Sequence, residues 1–505
     1  MFNFSFIELS PTSNFRNYAL LTALVSLLIH SFLACSLQLA SQEAYYWVWS
    51  TVPSLSYYDH PPLSSWLIGI STWIFGTNEF TVRLPAILLS FCTTLLLYQL
   101  GKELFSEKIG FISVLIYNAT IIFHVKGIVI DPDVPLIFFF LLSVYCFHRA
   151  IKTNKTSWWF FLGISTGLTL LSKYTGIMLF ASYVIYLLLN PEKRNLRNFS
   201  LLFLVGIISL IVFAPVIIWN YQNDWISFFY QSTRRATGFN FSLFYFLGYF
   251  ASQAGIMMPF IYVAMAYALY CAVILCFKSR DNNLLLLLSF ALPTILLFTF
   301  ASTRTWVKLN WLLPGYLTLI ILSAAIFYGS YPIIKEKIHR KMLWSLDFGI
   351  KLGIPLILLA TLLLFLPFSI IKDTTKSLNG WKEMSEIIST EIEKRKQSGE
   401  LDEPFVIGYP YKLAAELAFY CRQYDATSSY FMGDNTRAFN YLHKDLNIKG
   451  KDALFVVETK RPYHNMVIAA SHFESYEKLG VFPIESNGKK IREIELYLMR
   501  YNKTP

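Results

Sequence analysis

The chain has 505 residues, of which 55% are hydrophobic, 17% aromatic and only 15% charged. Soluble globular domains carry about a quarter charged residues, so this composition excludes a soluble enzyme and describes a polytopic membrane protein. The net charge of +11 sits largely in short loops, which argues against nucleic-acid binding, and the six cysteines form neither a disulfide framework nor a metal-ligand spacing.

The first 16 residues hold one base, Arg16, and the apolar run at 17–39 is long enough to cross a bilayer. It reads as a retained span rather than a cleaved signal. Next comes SQEAYYWVWSTVPSLSYYDHPPL, residues 41–63, which holds Glu43, Asp59 and His60 but no Lys or Arg. Its acids are not neutralised by sequence neighbours, although Tyr and Trp also suit a lipid headgroup layer for purely structural reasons. Further apolar segments fall near 81–100, 109–123, 134–148, 158–171, 176–189, 199–219, 254–277, 284–300, 311–329 and 349–370, giving eleven expected membrane helices. Residues 243–253 and Trp66 to Phe75 read as interfacial helices leading into spans.

From about Lys372 the composition changes. GWKEMSEIISTEIEKRKQSGE has the period of an amphipathic helix, YKLAAELAFY of a second helix, and PFVIGYP, ALFVVET and REIELYLMRY of strands. The expected organisation is a membrane domain over residues 1–371 and a small α/β domain over 372–505.

Loop bases set the orientation, because Lys and Arg near span ends stay cytoplasmic. Alternate loops carry fourteen of them, from Lys102 and Lys108 through Arg149, Lys193 and Lys278 to Lys341. The opposite set carries only Lys126, Lys173, Arg234, Arg235, Arg304 and Lys308. The N-terminus is therefore expected inside, and eleven spans leave the α/β domain outside.

Nearly every ionisable group at membrane level lies on that outer side: Glu43, Asp59 and His60, then Lys126, Asp131 and Asp133, then Lys173, Arg234, Arg304 and Lys308. A secondary transporter would keep polar or broken helices near the bilayer midplane. Carboxylates and cations gathered beside lipid instead suit chemistry on a lipid-linked phosphate, with cations stabilising the departing phosphate and a carboxylate accepting the proton of an attacking hydroxyl. The plain structural readings stand beside this one. Asp131 and Asp133, flanked by Pro132 and Pro135, also read as a turn or helix cap, and Lys126, Arg234 and Arg235 as snorkelling cations.

AYYWVWS, YYDHPPLSSWLIG and FTVRLPA, followed by DPDVPL, LSKYTG and VKLNW, resemble bacterial glycosyltransferase family 39, relatives of protein O-mannosyltransferases and of the lipid A aminoarabinose transferase. The resemblance covers most of the first 315 residues. It implies an α-helical polytopic GT-C fold in the bacterial inner membrane. It also implies inverting transfer of a hexosyl or pentosyl group from an undecaprenyl-type phosphate to an extracytoplasmic acceptor, with lipid A or lipopolysaccharide ahead of a protein hydroxyl. In the mannosyltransferases the first loop carries an Asp-Glu pair, whereas this chain has Gln42-Glu43, so the base role passes to Glu43 or Asp59. The aminoarabinose transferase has Glu-Lys-Pro-Pro where this chain has Asp59-His60-Pro61-Pro62.

The catalytic candidates are thus Asp59, Glu43 and Asp133, and the donor phosphate or sugar ligands are drawn from His60, Lys126, Lys173, Arg234, Arg304 and Lys308. No cofactor is required, and although GT-C enzymes admit a divalent metal ion, no spacing here indicates one. The expected partners are the polyprenyl-phosphate-linked sugar, a lipid or glycan acceptor and membrane lipids, with no nucleic acid. A lipid-linked sugar flippase is the competing class, and a non-catalytic carbohydrate-binding membrane protein a third.

Overall fold

The computed structural model describes residues 14–233, 241–365, 376–427, 438–442, 449–459, 469–486 and 489–502. All eleven expected spans lie on helices: α1 (Phe15–Ser36), α4 (Glu79–Leu104), α5 (Glu107–Asn118), α7 (Asp133–Thr153), α8 (Thr156–Ser172), α9 (Met178–Leu189), α10 (Leu196–Gln222), α13 (Pro259–Ser279), α14 (Asn282–Ser302), α15 (Leu313–Tyr328) and α16 (Glu336–Leu363). Between them lie α2 (Ser41–Thr51), α3 (Leu63–Phe75), α6 (Ile121–Lys126), α11 (Ile226–Thr233) and α12 (Leu243–Ile256). Among the described residues, eight helical runs are long and apolar enough to cross a membrane by length and composition. Helices α5, α8 and α9 are shorter, with 12, 17 and 12 residues.

Three expected boundaries move, and the segment at 109–123 is divided between α5, which ends at Asn118, and α6, which begins at Ile121. The segment expected at 254–277 is broken, because α12 ends at Ile256 and α13 begins at Pro259. Proline at N1 has no N–H to give to a preceding turn, and Met258 before it takes φ +65°, outside the helical region. The last span starts at Glu336 rather than at 349, so Lys337, Arg340 and Lys341 stand on its first turns instead of in a loop. The expected residues 366–370 of that span lie outside the described residues.

The chain divides into two compact units. The first comprises residues up to Phe32, His60–Ser64 and Pro85–Ala360. Its centre is α15, nine-tenths of whose span is buried by other helices. Helices α8 and α10 approach closely through Gly163 and Gly167, a small-xxx-small pair. A Cβ at Gly163 would lie 2.7 Å from the Ile208 Cβ, and one at Gly167 2.5 Å from the Val212 Cβ.

The second unit comprises Leu33–Asp59, Ser65–Leu84 and Thr361–Pro505. It holds a five-stranded sheet of order β2-β1-β3-β5-β4, built from β1 (Phe405–Tyr409), β2 (Ala426–Thr427), β3 (Ala453–Glu458), β4 (Phe473–Ser486) and β5 (Lys489–Asn502). β1 runs parallel to both β2 and β3, and its five residues are all buried, as a continuous apolar run in a parallel sheet should be. β5 pairs antiparallel with β3 and β4. Helices α17 (Trp381–Gln397) and α18 (Tyr411–Tyr420) match the two helices expected here, whereas β4 was not expected. A four-residue helix, α19, spans Phe439–Leu442.

The first-loop aromatics belong to this second unit. In α2, Tyr45, Tyr46, Trp47 and Trp49 are all buried. Trp47 meets Phe419 edge-on at 4.9 Å and Tyr45 meets Tyr411 at 4.7 Å, so α2 packs on α18 rather than offering its rings to a headgroup layer.

Candidate functional site: a buried lysine–aspartate network

In the first unit, the start of α7 is built around two carboxylates. Asp131 Oδ1 accepts the Asp133 backbone N–H at 3.0 Å, which satisfies one orphan donor of the first helical turn. Of the two structural readings, turn or cap, this bond from a residue to the N–H two positions on is the turn, and Pro132 is the N-cap residue. Lys126, the last residue of α6, donates to Asp131 and to Asp133 Oδ2 at 3.1 Å. Lys173, in the extended link after α8, reaches Asp133 Oδ1 at 2.6 Å. Asn310, in the 3-10 turn Leu309–Leu312 that leads into α15, donates to Asp133 Oδ2.

Asp133 thus accepts from three side chains while its own side chain is only 2% exposed, and those of Lys126 and Lys173 are 9% and 7% exposed. Lys126 does not snorkel to lipid; its amine is buried against carboxylates. The two lysines and two aspartates balance in charge, which is the condition for keeping such groups out of water. Removing one partner of such a pair leaves its counterpart buried and uncompensated, at a cost of about 3–5 kcal/mol. Burial works against the charged Lys126 amine, but Asp131 and Asp133 outweigh it and raise its pKa, so the amine stays protonated. Burial raises the Asp131 carboxyl above the usual range, with Lys126 pulling the other way.

Behind Lys126 the backbone is held by histidines. His30 Nε2 and His124 Nδ1 share a hydrogen bond at 3.1 Å. The His30 ring lies so close to Gly127 that a Cβ there would fall 2.2 Å from its Cε1. A glycine beside Lys126 is what lets α1 pack at this point.

The second unit disposes of Glu43 differently. Its carboxylate and the Arg83 guanidinium are both fully buried, at 2.7 Å. Arg83 also donates to the carbonyls of Leu37 and Gln38, at 2.7 Å each, and Glu43 Oε2 accepts the Ala40 N–H at 2.9 Å. Arg83, from the FTVRLPA motif, ties the end of α1 to the start of α2. Glu43 is committed to that tie. Asp59 is buried in the second unit and His60 half-buried in the first, so the division between units passes between them. Arg304 stands over the Phe300 ring at 4.7 Å, and Lys308 is exposed just before Asn310. Arg234 and Arg235 lie outside the described residues.

Of the donor-side candidates, the structure brings Lys126 and Lys173 together on Asp133. It adds Asp131, Asn310 and Arg83, which are not among the catalytic or donor-ligand candidates read from the sequence, although DPDVPL, VKLNW and FTVRLPA contain them. Among the described residues no group of three or more His, Cys, Asp or Glu converges as a metal site.

The polytopic helical fold with its α/β sheet is shared by solved membrane proteins. The crystal structure of ArnT from Cupriavidus metallidurans bound to undecaprenyl phosphate superposes with a TM-score of 0.63 at 15% identity, covering 95% of this chain and 98% of that one. The oligosaccharyltransferase of Archaeoglobus fulgidus gives a TM-score of 0.51 at 13% identity, covering 91% and 73%.

In sequence, residues 59–219 match the dolichyl-phosphate-mannose-protein mannosyltransferase family, a stretch that takes in Asp59, Lys126, Asp133 and Lys173. The lipid A galacturonosyltransferase RgtD of Rhizobium johnstonii is 26% identical over 294 residues, 57% of this chain and 61% of its own. An undecaprenyl phosphate-α-4-amino-4-deoxy-L-arabinose arabinosyl transferase of Erwinia tasmaniensis is 27% identical over 178 residues, 34% of this chain and 31% of its own. The chain spans less than two thirds of the length of these curated relatives. These matches bear out the resemblance to glycosyltransferase family 39 and the GT-C fold.

Proposed function

We propose that the protein is an inverting glycosyltransferase that moves a sugar from an undecaprenyl-type phosphate to lipid A or a neighbouring lipopolysaccharide sugar on the outer side of the inner membrane. The observation that carries this reading is the buried network of Lys126, Lys173 and Asp133. Its two amines are desolvated and oriented by Asp131 and Asp133, and a donor phosphate that takes over part of their carboxylate contacts meets cations already in place as its charge develops. The relatives named for activity on lipid A and on an undecaprenyl phosphate sugar support the same donor and acceptor classes.

In this mechanism the acceptor hydroxyl oxygen attacks the anomeric carbon as the bond from that carbon to the phosphate oxygen breaks. The hydroxyl proton passes to a carboxylate, and the polyprenyl phosphate leaves with the electron pair. With Glu43 held by Arg83, Asp59 is the better base, and Pro61 and Pro62 restrict the backbone beside it. Asp133 positions the two lysines. Arg304 and Lys308, with Arg234, complete the pool of phosphate ligands, and an apolar groove between spans receives the prenyl chain and supplies binding energy remote from the reacting carbon.

The test is mass spectrometry of lipid A and core oligosaccharide from cells with and without the gene, complemented by wild type and by Asp59→Asn. A sugar-sized mass loss restored by wild type and not by the variant is the expected result. Full restoration by Asp59→Asn would remove Asp59 from the mechanism. An unchanged lipid fraction with accumulated sugar-linked polyprenyl phosphate would move the acceptor to protein, and loss of donor translocation alone would make the protein a flippase.

A further inference from the structure

The second unit contains a cavity of about 490 Å³ that the transfer mechanism does not use. Its volume is that of a small-ligand pocket. Three elements wall it: Trp381 at the start of α17, Glu458 at the end of β3, and Lys490, Arg492 and Glu493 on β5. Ser41, the first residue of α2, closes one side.

The charges in this wall are already matched. The Arg492 guanidinium lies 3.6 Å from the Trp381 ring centroid, donates to the Asn379 carbonyl at 2.9 Å and faces Glu458 at 3.5 Å. Lys490 pairs with Glu493. Stacking on the indole fixes the guanidinium plane, so its hydrogen-bonding edge is set before any ligand arrives. The Glu416 carboxyl on α18 is completely buried in the same unit.

A phosphate or carboxylate entering here would have to displace a carboxylate from each cation. A pyranose would not, because each hydroxyl both donates and accepts and can bridge a cation and its carboxylate partner without separating them. Location agrees with this chemistry. Ser41 follows the last residue of α1, Ser36, by five positions, so the cavity wall begins close to the end of the first span. A lipid-anchored glycan presents its first sugars at that level.

We propose that this cavity holds a sugar ring of the glycosyl acceptor, its hydroxyls shared between the Arg492–Glu458 and Lys490–Glu493 pairs. The assignment rests on the transferase reading above and adds an acceptor subsite to it.

The test uses the full chain in lipid nanodiscs, with the unphosphorylated, unacylated β-1,6-linked glucosamine disaccharide as probe and calorimetric titration as readout. Ser377→Trp fills the cavity from an exposed position, and Glu458→Gln keeps the side-chain shape while removing one carboxylate. Each variant should weaken disaccharide binding and raise the acceptor KM by about tenfold or more, with kcat and donor KM unchanged, the mark of lost uniform binding. Wild-type affinity and acceptor KM in both variants would overturn the proposal, as would equal competition by inorganic phosphate. Disaccharide binding by wild-type protein that transfers no sugar to any lipid acceptor would remove the proposed reaction and leave the saccharide site standing.

Discussion

Asp133 accepts from Lys126, Lys173 and Asn310, and its value to the fold is separable from its value to the chemistry. Lys173→Met should lower thermal stability by about 3–5 kcal/mol, because it removes one of the two ammoniums that compensate the buried carboxylates. Adding Asp133→Asn should recover part of that loss, and a double-mutant cycle showing no coupling between the two would contradict the network. Glu43 and Asp59 should behave oppositely. Glu43→Gln strands the buried Arg83 charge, so the yield of folded protein should fall while the folded fraction keeps its turnover; Asp59→Asn should keep the yield and lose turnover. Glu416 gives the pH dependence. Burial raises its carboxyl pKa well above the ordinary value, so the folded state binds this proton more tightly than the unfolded one. Its contribution is then fully present below the unfolded pKa of about 4.3 and is lost as pH rises toward the folded value. Glu416→Gln should therefore raise the melting temperature at pH 8 more than at pH 5, and an equal shift at both would show that the carboxyl is charged throughout.

Helix elements were legible where their solvent is lipid. With no water to satisfy backbone groups, an apolar run must form a helix, and all eleven runs lie on helices, those at 109–123 and 254–277 each divided between two. Boundaries were less legible wherever charge shares the helix. The bases Lys337 to Lys341 read as a loop, yet they ride on α16, because a helix can extend past the bilayer into water. Strand β4 was illegible for a related reason. Among the described residues it is an edge strand paired with β5 alone, and its FESYEKLGVFPIES sequence, with Gly480 in the middle, lacks clean alternation. Close helix packing rests on glycines. Gly167→Leu should force α8 from α10 and cost about 1–3 kcal/mol of stability, read as earlier thermal aggregation. Gly127→Ala should drive a methyl group into the His30 ring, and a double variant with His30→Ala should recover stability relative to Gly127→Ala alone. No recovery would mean that α1 is not what constrains this turn.

At the scale of the molecule, composition indicates a membrane protein, and the one-sided placement of ionisable groups with the excess of bases in alternate loops leads to the proposal of an enzyme worked from one face. A cysteine at position 224 should react with a membrane-impermeant maleimide from the periplasm, and one at 192 should not; the reverse pattern would invert the topology. What the sequence determined by itself was the long membrane helices, the two longer helices of the α/β unit and three of its five strands, since hydrophobic runs and their periods are local properties of the chain; the helix at Ser41–Thr51 was read as a loop. Which acid meets which base was decided by tertiary structure. Asp133 finds Lys173 40 positions away and Asn310 177 away, and Glu43 finds Arg83 40 away. Contacts of about 3 Å between such residues depend on how helices pack, and no spacing along the chain records that distance.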